Sequence, residues 1–138
     1  MAQTTLDSSQ RLGVDGGSLT VQNGGAVVSE SAYVNGVAVL DGPGSTWTTG
    51  QTFVASSDYG NLTIRNGALL SSNGLAAIGD TARSSGFVAV DGAGSKWDND
   101  FDQVQLYVGF GFPGTLSITG GGVVSTFGAG VGVGGAGR

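Results

Sequence analysis

The sequence predicts an all-β chain folded as a right-handed parallel β-helix (β-solenoid) of about five coils. Three observations predict it. Glycine supplies 28 of 138 residues while proline supplies only 2, which marks a chain of many turns without collagen periodicity. Surface helix formers are nearly missing, since Lys96 is the one lysine and Glu30 the one glutamate. What remains is Val, Thr, Ser and Gly, the composition of strands and bends. Short strand-turn motifs also recur in one chain direction, so that like stacks on like.

Three segments align without gaps: Gly17-Ser-Leu-Thr-Val-Gln-Asn-Gly24, Gly60-Asn-Leu-Thr-Ile-Arg-Asn-Gly67 and Gly114-Thr-Leu-Ser-Ile-Thr-Gly-Gly121. Their period-2 alternation turns Leu and Val or Ile inward and Thr or Ser outward. Asn23-Gly24 and Asn66-Gly67 then reverse the chain, because Asn and Gly tolerate positive φ. Such a dipeptide also closes hairpins, but recurrence in the same direction favours a solenoid.

A second motif lies between these copies. Gly36-Val-Ala-Val-Leu-Asp-Gly-Pro-Gly-Ser-Thr-Trp47 matches Gly86-Phe-Val-Ala-Val-Asp-Gly-Ala-Gly-Ser-Lys-Trp97. Val37, Val39, Val88 and Val90 supply strand residues, and Asp41-Gly42 and Asp91-Gly92 a bend. A third pair links Phe53-Val54-Ala55 to Tyr107-Val108-Gly109. The repeat units are therefore residues 17–59, 60–113 and an incomplete 114–138. Each complete unit holds two coil-sized halves, beginning at Gly17, Gly36, Gly60 and Gly86. Residues 1–16 form a leading segment in which Leu12-Gly-Val-Asp-Gly16 echoes Val-x-Val-Asp-Gly, so a degenerate leading coil is expected. At the other end, Val131-Gly132 matches Ile78-Gly79 and implies a chain that stops mid-unit with an open edge.

The pattern Gly-x-Leu-Thr-Ile-x-Asn-Gly, followed by Gly-x-Val-x-Val-Asp-Gly-x-Gly-Ser-x-Trp, resembles the repeat of autotransporter (type V secretion) passenger domains and of some PEP-CTERM-associated surface proteins. The resemblance covers about residues 17–134. It implies a passenger-type β-helix displayed outside a bacterial cell, and it transfers no catalytic residue. The chain departs from the pattern in two places. The first unit lacks the segment 79–85 of the second, and an outer-membrane barrel of the kind that follows such passengers is not expected within residues 1–138.

Composition narrows the function. The net charge is −5 and there is no basic cluster, so nucleic acid is not an expected partner. No run reaches the ~18 apolar residues of a membrane helix, and residues 1–5 lack the features of a signal peptide. A signal and an anchor are expected outside this chain, with the segment itself extracellular or on the cell surface. Without His or Cys, and with five cations in all, the means for acid–base or nucleophilic catalysis are thin. No enzyme, cofactor or metal site is expected. A structural or adhesive role leads, with self-association or a host-surface or glycan partner. The alternative is a carbohydrate-binding or polysaccharide-degrading β-helix.

Candidate sites follow from repetition and from its failure. Trp47 and Trp97 recur once per unit, in register two coils apart. They are candidates for glycan stacking, against a simpler role as apolar packing. Asp41 and Asp91 precede glycine at bends, where a side chain bonding nearby backbone amides explains them better than metal or catalytic chemistry. Thr20, Thr63 and Ser117 make an outward column too irregular for ice binding, with neighbours Gln22, Arg65 and Thr119. Asn61-Leu62-Thr63 is a formal glycosylation sequon within a strand. The second unit departs from the first between Trp97 and Tyr107, where four extra residues bring Asp98, Asp100 and Asp102. Beyond Tyr107, Phe110 and Phe112 replace polar residues. These five are the candidate partner-binding residues, a carboxylate triplet beside paired phenylalanines that reads as a partner-binding or Ca²⁺-assisted loop, against a solvated loop whose aromatics tuck onto the coil. Against calcium, neither the glycine nor the closing glutamate of an EF-hand follows.

Overall fold

The computed structural model describes residues 10–80 and 85–132. The expected segment 79–85 therefore lies partly outside the described residues, as do residues 1–9 and 133–138. Every strand pairing in the described chain is parallel, and the strands stack as a β-solenoid of about five coils.

Each coil has the same plan: a first strand segment, a second one, a tight turn, and a third. In coil one the first two segments run together as β1 (Arg11–Gln22), followed by β2 (Ala26–Val28); in coil two they are β3 (Ser31–Asp41), followed by β4 (Thr46–Thr49). Coil three separates them into β5 (Gln51–Val54), β6 (Gly60–Arg65) and β7 (Leu69–Ser72). Coil four has β8 (Ala76–Ile78), β9 (Gly86–Asp91) and β10 (Lys96–Asn99), and coil five β11 (Gln105–Val108), β12 (Gly114–Thr119) and β13 (Val123–Thr126). A last strand, β14 (Gly128–Val131), pairs with β11 and opens a sixth coil.

Three columns result. The first is β5-β8-β11-β14, continued by the N-terminal halves of β1 and β3; the second is β6-β9-β12, continued by their C-terminal halves. The third column is a separate five-stranded sheet, β2-β4-β7-β10-β13. Neighbouring coils lie ~4.8 Å apart, the spacing of hydrogen-bonded strands.

Interior positions follow the expected alternation. Leu62 and Ile64 are buried from β6, stacked on Ala38 and Leu40 of β3 and on Val88 and Val90 of β9. Val37 and Val39 are on the outer side of β3, where Val37 is exposed. The third column buries Val27, Trp47, Leu70 and Trp97 in one file, with Val124 packed against it. The two tryptophans are thus in register two coils apart, with Leu70 between them.

The glycine that opens the second column in coils three, four and five has a steric reason. Gly60, Gly86 and Gly114 pair with one another at the corner between the first two columns. A Cβ on Gly60 would lie 2.1 Å from the Val34 carbonyl oxygen, and one on Gly114 would lie 2.2 Å from that of Ile78. The corner closes only around a bare backbone.

The leading segment adds a coil, in a register that differs from its sequence echo. Leu12, Val14 and Asp15 pair with Ala32, Val34 and Asn35, and these continue into the first column. Leu12-Gly-Val-Asp-Gly16 therefore corresponds to Phe53-Val54-Ala55, not to Val-x-Val-Asp-Gly; the latter register falls on residues 19–23. Burial decides this, because Val14 must continue the file of Val34 and Val54.

Candidate functional site

The tight turn between the second and third columns comes in two kinds that alternate along the axis. Coils one, three and five carry the short turn of Asn23-Gly24, Asn66-Gly67 and Gly120-Gly121; coils two and four carry Asp-Gly-x-Gly-Ser. The two repeated motifs thus occupy one column and interlock. Ser45 donates to the Asp41 carbonyl (2.7 Å) and accepts from the Gly24 amide of the coil before (3.1 Å). Ser95 repeats both bonds, to the Asp91 carbonyl (2.7 Å) and from the Gly67 amide (2.9 Å). Both serines are buried.

The aspartates lock in the opposite direction. Asp41 accepts from Asn66 Nδ2 (2.7 Å) and from Arg65 (3.0 Å) in the following coil, and Asp91 accepts from Thr119 (2.8 Å). Asn66 and then Arg65 hold the Asp41 carboxyl below its usual range. The turn role expected for the aspartates stands, but the side-chain partners are groups of the next coil instead of nearby amides.

Behind the turn, Trp47 Nε1 donates to Ser29 (3.0 Å), which donates to Thr49 (3.0 Å). Trp97 Nε1 donates to Ser72 (2.9 Å), which donates to Asn99 (2.6 Å). Each tryptophan thus ties its coil to the one before it. Trp47 and Trp97 are 1% and 0% exposed, so neither ring has a face for a sugar. The glycan-stacking expectation for them gives way to apolar packing, within the third column and not at a corner.

Half-buried aromatic rings lie on the outer side of the first column instead. Tyr33 of β3 and Phe53 of β5 are directly paired and stack with ring centroids 5.2 Å apart. The Arg11 guanidinium covers Tyr33 at 4.0 Å. Ala77 continues this outward row in β8 and Tyr107 in β11. Tyr107 packs against Phe110 at 4.9 Å. Beside Tyr33 lies a groove of about 450 Å³ lined by Glu30, Gln51 and Asn73 among others. A second, of about 280 Å³, is lined by Leu75, Gln103, Val104, Gln105 and Tyr107. Phe53 and Arg11 already pack on the Tyr33 ring, so the row offers ring edges and phenol hydroxyls beside amide and carboxylate groups, which can hydrogen-bond the hydroxyls of a sugar. Sequence reasoning missed this row, although the match of Phe53-Val54-Ala55 with Tyr107-Val108-Gly109 carried its signal.

The five candidate partner-binding residues are not brought together. Asp98 ends up in β10, and Asp100 and Asp102 in the corner that leads into β11. Phe110 and Phe112 follow the far end of β11. The four residues of β11 separate the two groups by roughly 10–13 Å. Asp98 pairs with Lys96 (3.6 Å) and accepts from the Asp100 amide (3.2 Å). Among the described residues no three carboxylates gather as metal ligands. The acids and the phenylalanines therefore bracket the aromatic row, with Phe101 at one end and Phe110 and Phe112 at the other, all three exposed.

No family model, curated protein or solved structure matches this chain.

Proposed function

We propose that the chain is a structural and adhesive segment of a bacterial protein displayed outside the cell, acting as a stiff spacer with one recognition face. The observation that carries this reading is the division of each coil. One corner repeats the same cross-coil bonds in both units, while loops of varied length and the exposed aromatics collect around the first column. Repetition suits a scaffold, and variation beside it suits contact with a partner. Fusing the chain to a surface-display anchor tests this. Cells carrying the intact segment should adhere to polysaccharide-coated or host-cell surfaces, and the Tyr33→Ser, Phe53→Ser variant should lose adhesion while remaining folded. Equal adhesion by both, or none by either, would refute the recognition face.

A second reading, carbohydrate binding, is favoured by the aromatic row and the groove beside Tyr33. It predicts saturable binding of soluble oligosaccharide that quenches tyrosine fluorescence. Cleavage of that oligosaccharide would replace both readings with a degradative enzyme.

A further inference from the structure

Four of the six asparagines stand directly before glycine: Asn23, Asn35, Asn66 and Asn73. Such a pair is chemically reactive, because a glycine nitrogen with no side chain to shield it can attack the asparagine Cγ. Ring closure requires the asparagine Cα–C bond to rotate until that nitrogen faces Cγ. The fold therefore decides which of the four pairs can react.

Three of them are held by side chains. Asn35 is 3% exposed. Its Oδ1 accepts from the Ser56 amide, the Ser56 hydroxyl and the Ser57 amide, and its Nδ2 donates to Asp15. Asn23 and Asn66 sit in left-handed turns, with φ of 56° and 55°. The glycine nitrogens that follow them, of Gly24 and Gly67, donate to the buried hydroxyls of Ser45 and Ser95. Rotation at either turn would strip a buried serine of its donor. Asn66 is tied once more, through Nδ2 to Asp41 (2.7 Å).

Asn73 differs on each count. It is exposed at the corner between β7 and β8, and its side chain makes no hydrogen bond among the described residues. Main-chain bonds alone hold this corner: the Asn73 amide donates to the Thr49 carbonyl and the Gly74 amide to the Gly50 carbonyl, at 3.1 Å each. Gly50 and Gly74 are half-buried, so water replaces the second bond when the corner opens. Asn73 and Gly74 also line the groove beside Tyr33, which they share with Glu30.

We propose that Asn73-Gly74 is a site of spontaneous deamidation, with water as the co-reactant, and that the fold protects the other three pairs. The Gly74 nitrogen gives its proton to solvent hydroxide and bonds to Asn73 Cγ. The Cγ–Nδ2 bond breaks, and the side-chain nitrogen takes a proton from water and leaves as ammonia, which restores the hydroxide. Water then opens the cyclic imide at either carbonyl and leaves aspartate or isoaspartate at position 73. Both products add a negative charge to the groove that Glu30 already lines. Isoaspartate also adds a methylene to the main chain. The groove thus carries a slow chemical record of the chain's age.

The test ages the full chain in mildly alkaline buffer and follows each asparagine by fragment mass and by enzymatic methylation of isoaspartate. Modification should build up at position 73 at least about tenfold faster than at 23, 35 or 66, the factor that one buried hydrogen bond supplies. In urea the four positions should react within a few-fold of one another, because the shared glycine then sets the rate. Asn73→Gln should remove the acidic form that anion exchange separates from the aged chain and leave urea unfolding unchanged. Equal rates at Asn23 or Asn66 in the folded chain would overturn the proposal. So would the same ranking and spread in urea, or an unchanged Asn73 while the unfolded chain reacts.

Discussion

The corner between the second and third columns and the corners flanking the first column follow opposite rules. At the former, two turn types alternate without insertion, and each is tied to the coil before or after it by buried serines and by aspartates. At the latter, one strand runs straight through in coils one and two, whereas coils three, four and five have two separate strands. Local bonds partly hold the connections between them: Asn35 Oδ1 accepts from the Ser56 and Ser57 amides, and Asn35 Nδ2 donates to Asp15. On the proposed reading, the difference teaches that stability and recognition fall to different corners of the same coil. A solenoid permits this because each coil contacts only its neighbours, so one corner can vary while another stays in register.

Substitutions should break that contrast in graded fashion. Trp97→Ala should have the largest effect, about 3–5 kcal/mol in urea unfolding, from the cavity in the third column and the loss of the indole bond to Ser72. Ser95→Ala should cost roughly 1–3 kcal/mol, because the Gly67 amide and the Asp91 carbonyl lose a buried partner. Asp41→Asn should act mainly through pH. The Asp41 carboxyl titrates below its usual range in the folded chain, so its contribution is present above that range and is lost as pH falls through the lowered value. Acid unfolding below about pH 4 should therefore be less steep in the variant. Phe110→Ser with Phe112→Ser should have the smallest effect on stability, within about 0.5 kcal/mol. That pair should instead reduce any lateral, concentration-dependent association seen by light scattering, since both rings are exposed beside the aromatic row.

Much of the fold was legible because a solenoid's register is written in its own repetition. Gly-x-Leu-Thr-Ile identified the second column, and the two tryptophans were expected in register. That the two motifs share one column was not apparent, because each was read as a separate strand-rich half. The serine locks escaped notice for a related reason: they join residues 21 and 28 positions apart, and serine beside glycine otherwise reads as a turn. Leu12-Gly-Val-Asp-Gly16 misled because local likeness to Val-x-Val-Asp-Gly said nothing of which column had room for Val14. The candidate site was legible only in part. Residues 98–112 did mark where the second unit departs from the first, but the straight passage of β11 separates their acids from their phenylalanines. The outward row of Tyr33, Phe53 and Tyr107 lay within strands whose inward residues drew the reading.

Three equivalent glycine amides test the central claim, that the alternating turns lock coil to coil. Amide hydrogen exchange followed by NMR should show Gly24 and Gly67 strongly protected and Gly121 exchanging fast, and Ser95→Ala should bring Gly67 alone to the rate of Gly121. Protection of Gly67 that survives the loss of Ser95, or equal rates at all three glycines in the unaltered chain, would contradict it.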